Sequence, residues 1–355
     1  MAVSPGALDA PPLSEPELGR LGDWLREALD ARAVRIERCA RLGGGAIQEN
    51  MALDLAVFGG WREGRHELVL RTDAPSGLAV SRSRAQEYRI LEVAHQAGVL
   101  APEPFLLCEG AEPLGRSFYL MARAAGEARA ARLVRDPAVR ARGEAIAARL
   151  GGELARLHAV VPPVPGLDFI EVPEKLPMLV RIGELRAHLD RMSEAQPVLE
   201  WGLRWLERHA PPQGGLCLVH GDLRTGNYMV ADGDVTAILD WEFAGFGDPL
   251  EDLGWLLARC WRFGAVEREA GGIGSRAALL DAYEAASGRA LPRGHIVHWE
   301  LLATIRWAVV ALMQAQRHFS GNEPSLELAL TGTLVPALEQ DVLDYVGALE
   351  REQTA

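Results

Sequence analysis

The 355-residue sequence predicts an α+β protein of two lobes. The N-terminal lobe is an antiparallel sheet with one main packed helix, and the larger C-terminal lobe is mainly helical. Three observations predict this. Strand-like runs separated by glycine-rich and charged turns fill residues 34–71. After Gly126 the composition shifts to Ala, Leu and Arg at helical spacing. Strand signals return in the second half only around residues 216–241.

The elements follow in order. Residues 1–16 are rich in Pro, Ser and Ala and read as a loose lead-in. Glu17 to Ala31 carries Leu18, Leu21, Leu25 and Leu29 on one helical face. Val34 to Leu42 reads as a strand running into Gly43-Gly44-Gly45. Met51 to Phe58 and Glu67 to Arg71 are two further strands, joined by a turn through Gly59-Gly60 and Arg62 to Arg65. Ser81 to Ala97 is a helix, which Pro102 and Pro104 prevent from continuing. Ser117 to Ala122 is a strand that closes the first lobe, so the domains are 1–124 and 125–355. In the second, Gly143 to His158 is a helix burying Ile146, Leu150, Leu154 and Leu157, and residues 178–210 and 276–350 are mainly helical.

Composition narrows the function classes. A net charge of −12 argues against nucleic acid or an anionic membrane as partner, though not against a local basic site. Cys39, Cys108, Cys217 and Cys260 are too scattered for a CxxC metal or redox pair and fit a reducing cytoplasm. No basic segment followed by an apolar run opens the chain, so no signal peptide is read. The apolar stretch Leu301 to Ala315 is too short to span a bilayer, carries Arg306, and reads as a buried helix. The expected location is cytoplasmic. The oligomeric state is not legible.

The chemistry concentrates in Leu216 to Trp241. An apolar run delivers His220-Gly221-Asp222, and Asn227 follows Asp222 by five residues. An Asp232-Gly233-Asp234 turn then leads into a second apolar run ending at Asp240. Phosphoryl transfer needs a carboxylate to orient the attacking hydroxyl and accept its proton, and oxygen ligands for magnesium. Asp222 suits the first task, and Asn227 and Asp240 suit the second. Arg224 is placed to neutralise charge on the transferred group. Turn propensity alone would also favour Asp, Asn and Gly here, but not all of them in this joint pattern.

This stretch resembles a known family. HGDLRTGN is similar to the HRDxxxxN catalytic loop of the protein-kinase fold, in the HGDxxxxN form of aminoglycoside phosphotransferases and choline kinases. Asp240 takes the place of the DFG aspartate, with Trp241-Glu242 in place of Phe-Gly. GFGDPLEDLGW resembles the GDPxxDLA segment, whose second aspartate, here Asp252, is structural in the family, as His220 and His158 are taken to be. The resemblance covers about residues 30–345. It implies a two-lobed protein-kinase-like fold and a small-molecule kinase using ATP and Mg2+. Gly43, Gly44 and Gly45 then become the phosphate-covering loop, whose backbone can approach phosphates because no Cβ intrudes. Met121, Ala122 and Arg123 become the hinge whose backbone bonds adenine. Glu87, a carboxylate in line with Ile90, Leu91 and Ala94, becomes the helix glutamate that pairs with a strand cation. That cation is Arg71 where the family has lysine, a planar fork in place of a point charge. Acyl-CoA-dehydrogenase-associated members of the family are similar at this position and in the RTGN and DWE segments.

The acceptor is left open. Trp255, Arg259, Trp261, Arg262 and Phe263, joined by Arg306, Trp307 and Arg317, suit an anionic or hydroxyacyl substrate better than a polycationic aminoglycoside. Two other readings compete with the kinase. One is a nucleotide-binding pseudokinase module with little turnover, motivated by Arg71. The other is a metallohydrolase, weakened by the lack of a histidine cluster beside the aspartates.

Overall fold

A computed structural model describes residues 12–42, 48–73, 82–321 and 323–354. Gly43, Gly44, Gly45 and Ser81 lie outside the described residues. The chain divides into two compact units: Met1–Gln96 with Ala101–Ala125, and Ala97–Leu100 with Gly126–Ala355.

The first unit contains α1 (Glu15–Ala28), β1 (Ala33–Arg41), β2 (Gln48–Phe58), β3 (Gly64–Asp73), α2 (Arg84–Gln96), β4 (Pro104–Cys108) and β5 (Phe118–Ala122). The sheet is antiparallel throughout, in the order β1-β2-β3-β5-β4. α1 starts before the predicted position because Ser14 and Glu17 form a capping box. It stops short of Ala31 because Asp30 is left-handed, at φ 49°. α2 starts later than predicted, where Ser83 and Gln86 hydrogen-bond reciprocally at 3.2 Å. β4 was not predicted; the signal was the apolar FLLC run after Pro104, overshadowed by the two prolines.

Strand alternation sorts the residues of β3. Leu68 and Leu70 join Met51, Leu53, Leu55 and Leu120 in a core that also takes Leu21 and Leu25 of α1. Arg71, one residue on, therefore points to the opposite face, in register with Asn50 and Tyr119. α2 buries Glu87, Ile90, Leu91 and Ala94, the predicted stripe. Burying Ile90 and Leu91 contributes about 1.5–3 kcal/mol each.

The second unit opens with α3 (Ala130–Leu133), α4 (Pro137–Ala141), α5 (Gly143–Leu157), α6 (Pro177–Leu189) and α7 (Pro197–Arg208). The predicted strand region follows as β6 (Cys217–Val219), β7 (Tyr228–Ala231) and β8 (Asp234–Ile238), and β9 (Gly245–Gly247) lies beyond it and was not predicted. Then come α8 (Pro249–Leu257), α9 (Arg276–Ser287), α10 (Arg293–Phe319), α11 (Leu326–Gly332) and α12 (Val335–Thr354). β6 pairs with β9, and β7 pairs with β8 through a two-residue turn. Asp232 and Gly233 in that turn both have positive φ, 51° and 74°, the pattern of a type I′ hairpin.

α10 is longer than the apolar stretch seen in the sequence. Its 27 residues are long and apolar enough to cross a bilayer by length and composition, yet 67% of its apolar window is buried inside the fold. Gly254 of α8 lets it approach closely: a Cβ there would sit 2.4 Å from that of Trp299. All four cysteines are free thiols.

Candidate active site

In the second unit, the chain leaves β6 and turns sharply at Gly221, whose φ is 75°. A Cβ on Gly221 would lie 2.5 Å from the Phe243 carbonyl oxygen. Glycine at this position is therefore a steric requirement. Gly221→Ala is expected to cost roughly 1–2 kcal/mol in backbone strain, with the collision added. Urea unfolding would read it as a lowered midpoint; an unchanged midpoint would mean the turn relaxes freely.

Asp252 of α8 holds this turn. Its Oδ2 accepts the His220 amide at 2.7 Å, and its Oδ1 accepts the Gly221 amide at 2.8 Å. His158 donates from Nε2 to Oδ2 at 3.1 Å, and its Nδ1 meets the Tyr283 hydroxyl at 3.0 Å. His220 is fixed as a tautomer by its partners. Nε2–H donates to the Leu239 carbonyl at 2.8 Å, so Nδ1 accepts the Asp222 amide at 3.2 Å. Both histidines thus serve the loop's shape, as the sequence reading held.

Burial works to raise the Asp252 carboxyl, but the His158 hydrogen bond, the electrostatic influence of the neighbouring His158 and His220 rings and the loop amides outweigh it and hold the group below its ordinary value. A depressed carboxyl stabilises the fold above the unfolded pKa of about 3.9 and loses that contribution as pH falls through its folded value. The stability gap between wild type and Asp252→Asn should therefore be widest near neutral pH and narrow on acidification below about pH 4. A gap that does not change with pH would contradict this role.

Asp222 and Asn227 lie together. Asn227 Nδ2 donates to the Asp222 carbonyl at 2.8 Å and to its Oδ2 at 2.6 Å. Arg224 Nε stands 3.4 Å from Oδ1 of the same carboxylate, and its guanidinium lies 4.7 Å above the Trp261 ring. Asp240 follows β8 in the left-handed region, at φ 62°. With its nitrogen committed to Asp222, Asn227 keeps its amide oxygen for another ligand. Carboxamide and carboxylate oxygens suit a hard cation such as magnesium, which takes one or two protein groups and completes its shell with phosphate and water. Among the described residues no cluster of three or more His, Cys, Asp or Glu side chains could hold a metal. Asn227 and Asp240 both offer oxygen donors, the chemistry magnesium takes.

In the first unit, Glu87 is completely buried. Arg71 Nη2 lies 2.9 Å from its Oε1, and Arg84 pairs with its Oε2. Arg71 Nη1 also reaches Asn50 Oδ1 at 3.5 Å. The expected Arg71–Glu87 pair forms, and Arg84, which the sequence reading missed, is a second cation on the same carboxylate. Its position three residues before Glu87 was the available signal.

Two expectations need correction. The amides of Ala122 and Arg123 donate to the Glu103 and Glu67 carbonyls, at 2.8 and 2.9 Å. They are spent on the sheet, so adenine recognition at Met121, Ala122 and Arg123 is confined to carbonyls or to the chain beyond. The Arg123 side chain is likewise engaged, with Asp54 at 2.7 Å and Glu67 at 2.8 Å. The second correction concerns the arginines proposed for an anionic substrate. Arg259 pairs with Asp341 and Asp344, Arg262 with Glu269 and Glu300, and Arg317 with Glu323. Arg306 donates to the Gly221 carbonyl at 2.6 Å. These charges answer carboxylates and a carbonyl of the fold itself, which charge counting along the sequence does not reveal.

Comparison with known proteins gives this geometry a family. Residues 39–294 match the phosphotransferase enzyme family, taking in both Glu87 and the His220–Asp252 segment. The chain belongs to that family. Among relatives of this family member, acyl-CoA dehydrogenase family member 10 of Mus musculus is 32% identical over 198 residues, 53% of this chain and 18% of that protein. Family member 11 of Rattus norvegicus is 29% identical over 211 residues, 55% of this chain and 25% of that protein. The matched stretch is thus a quarter or less of either relative's length. A Ralstonia eutropha protein classed provisionally as an aminoglycoside phosphotransferase superposes with a TM-score of 0.73 at 22% identity, over 93% of this chain and 98% of that one. A thermostable variant of aminoglycoside phosphotransferase APH(4)-Ia, in a complex with AMP-PNP and hygromycin B, gives 0.58 at 15% identity, over 92% and 98%. The protein-kinase-like fold expected from the sequence is the fold observed.

Proposed function

We propose that the protein is an ATP- and magnesium-dependent kinase that moves the γ-phosphoryl group to a hydroxyl of a small molecule. One observation carries this reading: the Asp222 carboxylate is held on Oδ2 by Asn227 and flanked on Oδ1 by Arg224. With Oδ2 engaged by the amide, Oδ1 is the oxygen left to accept the proton of an attacking hydroxyl. Arg224 then lies where negative charge develops on the transferred group. Asn227 and Asp240 would hold magnesium, which when bound neutralises phosphate charge. Arg71, steadied by Glu87, would orient the nucleotide phosphates. Catalysis on this reading is positioning and electrostatics, with no covalent intermediate on the protein.

On the acceptor side, Trp255 and Trp261 are buried, their rings 5.1 Å apart, and Trp261 carries Arg224 on its face. Neither indole N–H has a hydrogen-bond partner among the described residues. Buried donors beside a cation favour an acceptor bearing carbonyl or anionic oxygens, a hydroxyacyl compound for example, over a polycationic aminoglycoside. The choice now rests on Arg224 and the two indoles, since Arg259, Arg262 and Arg317 are otherwise engaged.

The competing reading is a nucleotide-binding pseudokinase module with little turnover, and Arg71 in place of lysine is what favours it. The deciding experiment measures ADP release with magnesium and ATP against a panel of hydroxylated metabolites and aminoglycosides. Tight nucleotide binding with no acceptor-dependent ADP from any compound would establish the module instead.

A further inference from the structure

Arg306 sits on α10, 85 residues from the catalytic loop in sequence, and its Nη1 donates to the Gly221 carbonyl at 2.6 Å. The guanidinium is held in place, 4.4 Å above the Trp255 ring and 5.9 Å from that of Phe243. The Gly221 carbonyl belongs to the peptide that joins Gly221 to Asp222. The other polar group of that peptide is the Asp222 amide, which donates to His220 Nδ1. The peptide is therefore gripped at both ends, by a cation on its oxygen and an imidazole on its nitrogen. A peptide is planar, so fixing both groups fixes the plane, and the plane sets the direction in which the Asp222 side chain leaves the backbone. Gly221 has no side chain to assist, and its φ of 75° is a conformation available to many turn geometries. The long-range restraint on the plane comes from Arg306.

We infer that Arg306 is a positioning residue for Asp222, acting through the Gly221–Asp222 peptide and not through the substrate. The bond is charge-assisted and short, which places it among the stronger hydrogen bonds. It also polarises the peptide, strengthening the donation of the Asp222 amide to His220. Lysine at this position could still donate to the carbonyl but would lose the planar stacking on Trp255.

The catalytic part of this inference rests on the proposed kinase reading; the structural part does not. The experiment uses the full chain as wild type, Arg306→Met and Arg306→Lys. Hydrogen exchange at the Asp222 amide, followed without substrate or nucleotide, should quicken at least tenfold in Arg306→Met and less in Arg306→Lys, while exchange in α5 and α9 stays unchanged. Where wild type turns over, kcat should fall on the order of 10- to 100-fold in Arg306→Met, with KM for ATP and for the acceptor nearly unchanged. Arg306→Lys should recover part of the loss. Should Arg306→Met fail to fold, Arg306→Lys carries both readouts. Unaltered exchange at Asp222, or a raised acceptor KM with kcat intact, would overturn the inference and make Arg306 a substrate contact. If wild type shows no turnover, the exchange readout decides the positioning claim alone, so failure of the kinase reading is not mistaken for failure of this one.

Discussion

Asp222→Ala should lower acceptor-dependent ADP formation by about 10²- to 10⁴-fold, the range typical of a lost general base. Nucleotide affinity should stay within a few-fold of wild type, because Arg71 and Glu87 belong to the first unit and Asp222 to the second. The size follows from the geometry. Asp222 Oδ2 is occupied by Asn227 at 2.6 Å, so the proton of the attacking hydroxyl has one oxygen to go to. Removing the carboxylate removes that acceptor and also releases Asn227 and Arg224 from their shared partner. Asp222→Asn separates the two effects: it retains a side chain that Asn227 can bond but loses the basicity. It should be nearly as impaired as Asp222→Ala if proton acceptance dominates, and distinctly better if holding Asn227 dominates. Turnover by Asp222→Ala within tenfold of wild type would remove Asp222 from the role of base.

The same experiment bears on the pseudokinase reading. A module that binds nucleotide without turnover has no acceptor-dependent rate for Asp222→Ala to abolish, so wild type and variant would be indistinguishable. On the proposed kinase reading, the arrangement of Asn227 and Arg224 around the Asp222 carboxylate is what would supply turnover. Arg71 by itself does not exclude it, since its bond to Glu87 is formed with the guanidinium in place.

What the sequence conveyed and what it hid divide along physical lines. Signals that depend on neighbours in the chain were legible. The period of Glu87, Ile90, Leu91 and Ala94 marked a buried face, and Asp232-Gly233-Asp234 marked the turn that joins β7 to β8. The His220–Asn227 spacing marked a loop that folds back on itself, as the Asn227 hydrogen bonds show. Signals that depend on distant residues were not. The apolar runs did not show their partners: β6 pairs with β9 and β8 with β7, because pairing is settled by tertiary contacts. Arginine fates were hidden for the same reason. Arg259 finds Asp341 and Arg306 finds Gly221 only after the helices pack, 82 and 85 residues apart. At the expected adenine hinge the strand was placed correctly, but the sequence did not show that the Ala122 and Arg123 amides are spent within the sheet.

Glu87→Ala should destabilise the first unit by about 3–5 kcal/mol, the cost of breaking a buried ion pair by removing one partner. Arg71 and Arg84 converge on this one carboxylate, and all three side chains are buried. Taking the carboxylate away removes a charge that helps offset the desolvation of both guanidiniums. Glu87→Gln preserves shape and one hydrogen-bond acceptor, so it should cost less. The test of mechanism is the double variant. If the penalty comes from the loss of opposing charge, Glu87→Leu with Arg84→Met should be less destabilised than Glu87→Leu alone, since the second change removes one of the two cations facing that position. If it came from lost packing, the double variant would be worse. Hydrogen exchange across β3 and α2 in the full chain reads the first unit separately from the second. Nucleotide affinity measured on the same proteins adds a second comparison. Loss of Glu87 removes one of the groups that orient the Arg71 side chain, so ATP binding should weaken by more than the fraction of unfolded protein accounts for. Equal losses in stability and binding would instead assign Glu87 a purely structural role.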